Sequence, residues 1–221
     1  MKICRFINLY YVRNNNTQMN NRLKSTAALW LLLITNISIG YGQSSSLNRF
    51  DFYKALADST LTLVNHNIIY DATYTKLAYP NGDVSSDRGV CSDVVIRAYR
   101  KMGVDLQKEV HEDMKANFSL YPRLWGLKGT DRNIDHRRVP NLMTFFERKG
   151  TLLPITQNAD DFVPGDIVCW RLSNGMTHIG IVVRHQTRDG RYHIVHNIGY
   201  GQVEEDCLFN FKIIGHYRYK R

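Results

Sequence analysis

Cys91 stands at the start of an amphipathic segment, and this placement limits what the chain can fold into. The apolar residues that follow it recur at helical spacing, and the segment stops at Gly103, a residue type that commonly ends helices. The sequence therefore predicts a helix from Cys91 to about Met102. A thiol in the first helical turn faces unpaired backbone N–H groups, which favour the thiolate and lower its pKa. The placement favours a cysteine nucleophile.

Two histidines on predicted strands supply the partners that a thiol nucleophile requires, a base and a group that orients the base. His178 begins the apolar strand 178–184, and His196 lies near the end of the next strand, 191–197. The order of a cysteine helix followed by two histidine strands predicts a Cys91–His178–His196 site.

The alternation of side chains along a strand refines this prediction. His178 shares a sheet face with Gly180, so a helix that packs on that face would bring Cys91 to His178, and Gly180 would let the helix approach. His193 has the opposite parity to His196, so only one of these two faces the site. We assign His196.

Zinc coordination is the competing chemistry for the same residues, because thiolate and imidazole are good zinc ligands. A zinc hydrolase would use Cys91, His178 and His196 together. The sequence contains no Cys-x-x-Cys pair to support that interpretation, and the cysteine hydrolase that we favour requires no metal and no cofactor.

The N-terminus predicts a secretory signal. Residues 29–39 form an apolar run that follows Arg22 and Lys24, and small residues ending at Gly42 come after it. The run is short for a membrane span, so we predict cleavage near Gly42 and no stable span after processing. An uncleaved anchor is the alternative.

Processing at this position defines a signal peptide over residues 1–42, with Met19 as an alternative start, and one mature domain over 43–221. The signal segment holds five of the 29 basic residues and none of the 20 acidic ones, which leaves the mature chain at +4. So small a net charge does not indicate nucleic-acid binding. We predict an exported protein of the periplasm or cell envelope.

Three cysteines remain in the predicted mature chain: Cys91, Cys169 and Cys207. An odd number leaves at least one thiol free in an oxidising compartment. We expect Cys169 and Cys207 to be separate buried thiols, with a disulfide between them as the alternative.

The hydrophobic period changes from 3.6 to 2 near residue 150, which predicts an α+β fold with an antiparallel sheet. The expected helices cover about 47–65, 91–102, 107–116 and 141–148, and the expected strands cover 166–171, 178–184, 191–197 and 211–219.

Several segments resemble NlpC-type, papain-like cysteine peptidases of bacterial cell walls. Residues 91–106 resemble the nucleophile helix of that family, while 164–168 and 178–182 resemble its Gly-Asp strand and catalytic-histidine strand. His196 falls where the family places a third polar residue. Tyr79 is similar in spacing to a tyrosine that borders the nucleophile and helps to bind the oxyanion.

The whole mature chain also resembles a bacterial group catalogued as a domain of unknown function, through residues 79–83 and 131–142. Taken together, the resemblances imply a papain-like fold and a hydrolase that cleaves an amide bond in the peptide part of peptidoglycan or a muropeptide. An amidase or acyltransferase acting on another acyl substrate, and a non-catalytic wall-binding module, are the alternatives.

The chain departs from the family pattern in two places. Asp93 stands where the family usually has glycine, and a nearby carboxylate raises the pKa of a thiol. Asp93 either binds a substrate amine or holds the loop 132–138. Arg132 and Arg137 of this loop are predicted to contact substrate carboxylates, and a solvated basic loop is the alternative. The segment 107–150 is longer than a minimal family member requires and is expected to reshape the cleft.

Overall fold

The computed structural model describes residues 51–221. The predicted signal peptide of 1–42 and the alternative start at Met19 lie outside the described residues. Within the described part, no helix combines the length and the apolar character that crossing a bilayer requires.

Four α-helices lie within residues 51–221, and the sequence explains where two of them begin. The side chain of Asp105 accepts a hydrogen bond from the Gln107 amide and so caps the third helix, while Pro140 lies in the first turn of the fourth. The first helix ends at residue 61, earlier than the predicted Asn65, which instead pairs with Gln202. The helices are α1 (51–61), α2 (Cys91–Lys101), α3 (Leu106–Ala116) and α4 (Val139–Lys149).

The strands of the described residues form two sheets. Two short strands, β1 (Ile69–Tyr70) and β2 (Arg88–Gly89), pair in parallel just before α2. A second, antiparallel sheet has six strands in the order β3-β8-β4-β5-β6-β7. The predicted α+β class with an antiparallel sheet is confirmed. The strands of the larger sheet are β3 (Thr151–Leu152), β4 (Ile167–Arg171), β5 (Thr177–Gln186), β6 (Tyr192–His196), β7 (Val203–Glu205) and β8 (Lys212–Arg218).

The two faces of this sheet carry separate hydrophobic clusters. Cys91 and the apolar face of α2 pack in one cluster with Ile179 and Ile181 of β5. Trp170, which pairs with His178 across the sheet, belongs to the other cluster together with Val182. The expectation that α2 packs on the face of His178 was therefore wrong, because the helix covers the odd-numbered residues of β5.

The reason given for Gly180 also needs correction. A Cβ at this position would lie 2.7 Å from Ile194 Cγ2 and 3.1 Å from His196 Cβ. Both neighbours belong to β6 and neither belongs to α2. The glycine therefore makes room for the histidine strand rather than for the nucleophile helix.

Candidate active site

Cys91 is the first residue of α2, as the sequence predicted, and its side chain is buried beside the beginning of β5. The backbone N–H groups of Ile179 and Ser92 point to the sulfur, and the Tyr70 hydroxyl hydrogen-bonds with it. Tyr70 reaches this position because β1 pairs with β2, which ends two residues before Cys91. The thiol is therefore held between a helix start, a strand amide and a phenol.

Burial decides the protonation state of this thiol. Burial raises the pKa of Cys91, the surrounding N–H groups lower it, and the Asp93 carboxylate raises it; the net result is a pKa of about 11. The expectation that the helix start lowers the pKa was therefore incomplete, because loss of solvent outweighs the backbone amides. In this conformation the thiol is protonated at neutral pH.

Asp93 and Arg137 form a buried ion pair beside Cys91. Arg137 Nε and Nη2 each lie 2.9 Å from a carboxylate oxygen of Asp93, and both side chains are 2% exposed. Asp93 also accepts a hydrogen bond from the Val90 amide at 2.7 Å, while the Ser92 hydroxyl donates to the Arg137 carbonyl. These bonds fasten the first turn of α2 to residues 135–137.

This pairing changes the interpretation of both residues. The Arg137 guanidinium and the Asp93 carboxylate are joined by two hydrogen bonds. Neither charged group is therefore available to bind a substrate in this structure. The alternative that Asp93 holds the loop is the one that the structure shows.

Tyr79 and Arg132, the other two predicted substrate contacts, lie away from Cys91. The Tyr79 ring contacts His111 of α3 with centroids 5.3 Å apart, and the Arg132 guanidinium stacks on Tyr79 at 5.7 Å. Tyr70, not Tyr79, is the tyrosine beside the thiol. The earlier assignment followed spacing along the chain, which does not determine position in a segment without regular structure.

His178 and His196 come together as the sequence predicted. His178 Nε2 lies 2.8 Å from His196 Nδ1, and both rings are buried. Burial, assisted by His196, lowers the pKa of His178 to about 3, and burial also lowers the pKa of His196. Both imidazoles are therefore neutral at neutral pH.

The contacts of His196 Nε2 determine which tautomer each of the two histidines adopts. His196 Nε2 lies 3.2 Å from Glu205 Oε2 and 3.5 Å from Cys207 Sγ. A carboxylate only accepts, so His196 donates from Nε2 and accepts at Nδ1. His178 then donates from Nε2 and keeps its lone pair on Nδ1.

The cysteine and the histidine pair are neighbours without a direct bond. Among the hydrogen bonds of residues 51–221, none joins Cys91 to His178. The sulfur is nevertheless beside the amide of Ile179, the residue that follows His178. The thiol and the imidazole border two adjoining clefts, and Tyr70, Met176 and Thr177 line both of them.

The larger cleft, on the Cys91 side, has a volume of about 820 Å³. Its wall includes Trp125, on which the Arg138 guanidinium stacks at 4.1 Å. Arg137 and Arg138 of the predicted basic loop both line this cleft. Arg137 is paired with Asp93, which leaves Arg138 as the arginine of this loop that could bind a substrate. The long 107–150 segment therefore contributes to the cleft, as the sequence led us to expect.

The remaining cysteines and His193 also have defined positions. Cys169 and Cys207 are free, buried thiols that belong to separate hydrophobic clusters. His193 bonds Glu204 and not the site. In residues 51–221, the side chains that could jointly hold a metal ion are His196, Glu205 and Cys207, which differs from the zinc set considered from the sequence.

The site combines a buried cysteine at the start of a helix with a buried histidine pair on the sheet against which that helix packs. This is the combination of residue types that a cysteine hydrolase requires. The family described as Domain of unknown function (DUF1287) matches residues 57–219. The chain is 54% identical over 165 residues to the Uncharacterized protein YijF of Escherichia coli (strain K12), covering 75% of this chain and 80% of that protein. The chain therefore belongs to the DUF1287 family, in agreement with the resemblance seen in residues 79–83 and 131–142.

Solved structures with a similar course of the chain include NlpC1 and NlpC2 from Trichomonas vaginalis. They share 16% and 17% identity with this chain, cover 76% of it and have TM-scores of 0.41. The chain spans less than half the length of these two proteins, 44% and 46%. An N-acetylmuramoyl-L-alanine amidase from Bacteroides uniformis ATCC 8492 shares 12% identity at a TM-score of 0.46, over 77% of this chain and 100% of that one.

Sequence reasoning missed three residues of the site: Tyr70, Glu205 and Cys207. Tyr70 lies in a strand of two residues, and Glu205 ends a strand of three. Strands this short show no period-2 pattern, so nothing local indicates that their side chains face the site.

Proposed function

We propose that this protein is an exported cysteine hydrolase that cleaves an amide bond, with Cys91 as the nucleophile. The observation that carries the proposal is the Cys91 thiol at a helix start, hydrogen-bonded by the strand amide next to His178. His178 acts as the base, and His196 orients it through the 2.8 Å contact between the rings.

The protonation states favour general-base catalysis over a stored ion pair. With the pKa of Cys91 at about 11 and that of His178 at about 3, the thiol and the imidazole are both neutral before reaction. In the step that we propose, the thiol proton passes to His178 Nδ1 at the start of β5, where the two clefts adjoin, as the sulfur attacks the carbonyl carbon. His178 then returns that proton to the leaving amine, and water hydrolyses the thioester.

The oxyanion that forms during attack requires hydrogen-bond donors. The Cys91 backbone N–H at the start of α2 is one donor, and the Tyr70 hydroxyl beside the sulfur is the second. Tyr70 thus takes the role that the sequence resemblance had given to Tyr79. Burial keeps the pKa of Tyr70 near 12, so the phenol retains its proton for donation.

The substrate that we propose is the peptide part of peptidoglycan or a muropeptide. The NlpC-type motifs and the predicted export support it. The cleft adds support, since it is large enough for several residues and its Arg138 guanidinium could pair with a peptide carboxylate. No metal or cofactor takes part in the steps proposed.

Mass spectrometry of muropeptide digests tests this function. Wild-type protein should release new peptide fragments, and Cys91→Ala should release none while keeping its melting temperature. Cys169→Ala, which removes another buried thiol of the same cluster, should retain hydrolysis. Equal product from wild type and Cys91→Ala would overturn the proposal.

The raised pKa of the Cys91 thiol gives specific support to one alternative, a non-catalytic wall-binding module. Such a module would sediment with purified peptidoglycan and release no fragment from it. An acyltransferase would instead transfer the acyl group from a supplied donor to an amine acceptor, which the same mass spectrometry detects as a mass gain.

A further inference from the structure

We propose that His196, Glu205 and Cys207 form a zinc-binding site behind His178. Their candidate ligand atoms, one from each side chain, all lie within 4.8 Å of one another. An imidazole, a carboxylate and a thiol are the ligand types that Zn²⁺ takes in proteins. The three residues lie at the end of β6, at the end of β7 and just beyond it, so the pairing of these strands brings them together.

The two separations measured from His196 match those expected for one tetrahedral ion, and the third lies within 4.8 Å. With Zn–S near 2.3 Å and Zn–N near 2.0–2.1 Å, a tetrahedral angle separates sulfur from nitrogen by about 3.5 Å and nitrogen from oxygen by about 3.4 Å. The observed distances from His196 Nε2 are 3.5 Å to Cys207 Sγ and 3.2 Å to Glu205 Oε2. The side chains therefore need little rearrangement to coordinate an ion.

The proposed site is accessible from solvent on one side, where a water molecule could also coordinate the ion. His196 and Cys207 are buried, whereas the Glu205 side chain is 46% exposed, so an ion can arrive from the solvent side of the carboxylate. Water would complete the coordination from the same direction. The Cys207 thiol loses its proton to solvent as the metal–sulfur bond forms, and His196 gives up its Nε2 proton in favour of Nδ1.

This exchange of protons connects the metal to the proposed catalysis, and the connection depends on the proposed function. With zinc on His196 Nε2, the proton of His196 lies on Nδ1 and is donated to His178 Nε2. The neutral His178 ring must then carry its own proton on Nδ1, the nitrogen that would accept the thiol proton. Zinc should therefore inhibit hydrolysis by reversing the tautomers of both histidines.

Calorimetric titration with Zn²⁺ tests the site without reference to activity. Wild type and Cys91→Ala should each bind one equivalent, and Cys207→Ser should bind at least tenfold more weakly. Co²⁺ should give a thiolate charge-transfer absorption in wild type that Cys207→Ser lacks. A melting temperature close to wild type shows that Cys207→Ser is folded. Equal Zn²⁺ affinity in wild type and Cys207→Ser would overturn the site.

Activity measurements test the inhibition separately. The ratio of hydrolysis with zinc to hydrolysis with a chelator should be well below one for wild type and near one for Cys207→Ser. A wild-type ratio of one, at zinc concentrations that saturate the site, would overturn the tautomer mechanism. If zinc-free wild type hydrolyses nothing, the proposed function fails, while the titration still decides whether the metal site exists.

Discussion

The two halves of the candidate site are stabilised in different ways. On the face of the sheet covered by α2, Cys91 lies next to a buried ion pair between Asp93 and Arg137. On the opposite face, His178 and His196 are neutral and are held by hydrogen bonds whose direction depends on where protons lie. The first half is a fixed support for the nucleophile. The second half can change state without moving a heavy atom.

The largest effect is expected from breaking the fixed half. Asp93→Asn leaves Arg137 charged and buried, and breaking a buried pair typically costs about 3–5 kcal/mol. Urea unfolding should show a loss of this size. Asp87→Asn, which removes an exposed carboxylate beside Arg88, is the control and should leave the free energy of unfolding nearly unchanged. Equal effects of the two substitutions would contradict a structural role for the buried pair.

A second comparison separates the two tyrosines. Tyr70→Phe removes the hydroxyl beside the thiol, and loss of one oxyanion donor typically lowers kcat by about 10²–10³-fold. Tyr79→Phe should leave hydrolysis near the wild-type rate, because its ring lies against His111. Steady-state kinetics on a muropeptide substrate would decide between them. A larger defect in Tyr79→Phe would restore the assignment made from sequence spacing.

A smaller effect is expected at the far end of the histidine pair. Glu205→Gln replaces a charged acceptor of the His196 N–H, and such hydrogen bonds contribute about 1.5–3 kcal/mol, equivalent to a loss in kcat/KM of about 10–100-fold. As a positioning residue, Glu205 should also alter the pH–rate profile when it is replaced, and Glu205→Asp should restore part of the rate. Glu204→Gln, which affects His185 and His193 instead, should change neither quantity.

The last effect concerns pH and stability, and it is spread over the whole interval between the folded and unfolded pKa values of His178. His178 has its pKa lowered to about 3 in the folded protein, against about 6.5 when unfolded, so the unfolded chain binds more protons between these values. The contribution of His178 is therefore complete above pH 6.5 and is lost as the pH falls towards 3, by about 1.4 kcal/mol per pH unit at most. His178→Gln should flatten the dependence of unfolding free energy on pH in this window. An unchanged slope would mean that His178 is not buried in its neutral form.

Much of the scaffold could be predicted from the sequence because its elements are long and periodic. Helix α2 and strands β5 and β6 lie within two residues of their predicted positions. The strand alternation showed that only one of His193 and His196 could face the site, and the family resemblance favoured His196. The register that brings His178 to His196 did not follow from the sequence. The alternation was insufficient to decide which sheet face α2 covers, because both faces of β5 are buried.

The parts that could not be predicted depend on pairings across irregular chain. Asp93 and Arg137 are 44 positions apart. The sequence around Arg137 does not distinguish an arginine in a buried ion pair from an exposed arginine that binds a substrate. Tyr70 reaches the thiol through a strand pair of two residues. The protonation of Cys91 depends on total burial, which only the packed structure determines.

The attachment of α2 to residues 135–137 has a consequence for comparing relatives. The Asp93 carboxylate and the Ser92 hydroxyl both bind Arg137. The orientation of the Cys91 side chain therefore depends on the position of the turn at residues 135–137. Chimeras that exchange the segment 131–138 should therefore exchange the opening turn of α2 with it. Insertions in that segment should change the orientation of the Cys91 side chain even though they leave the sequence of α2 unchanged.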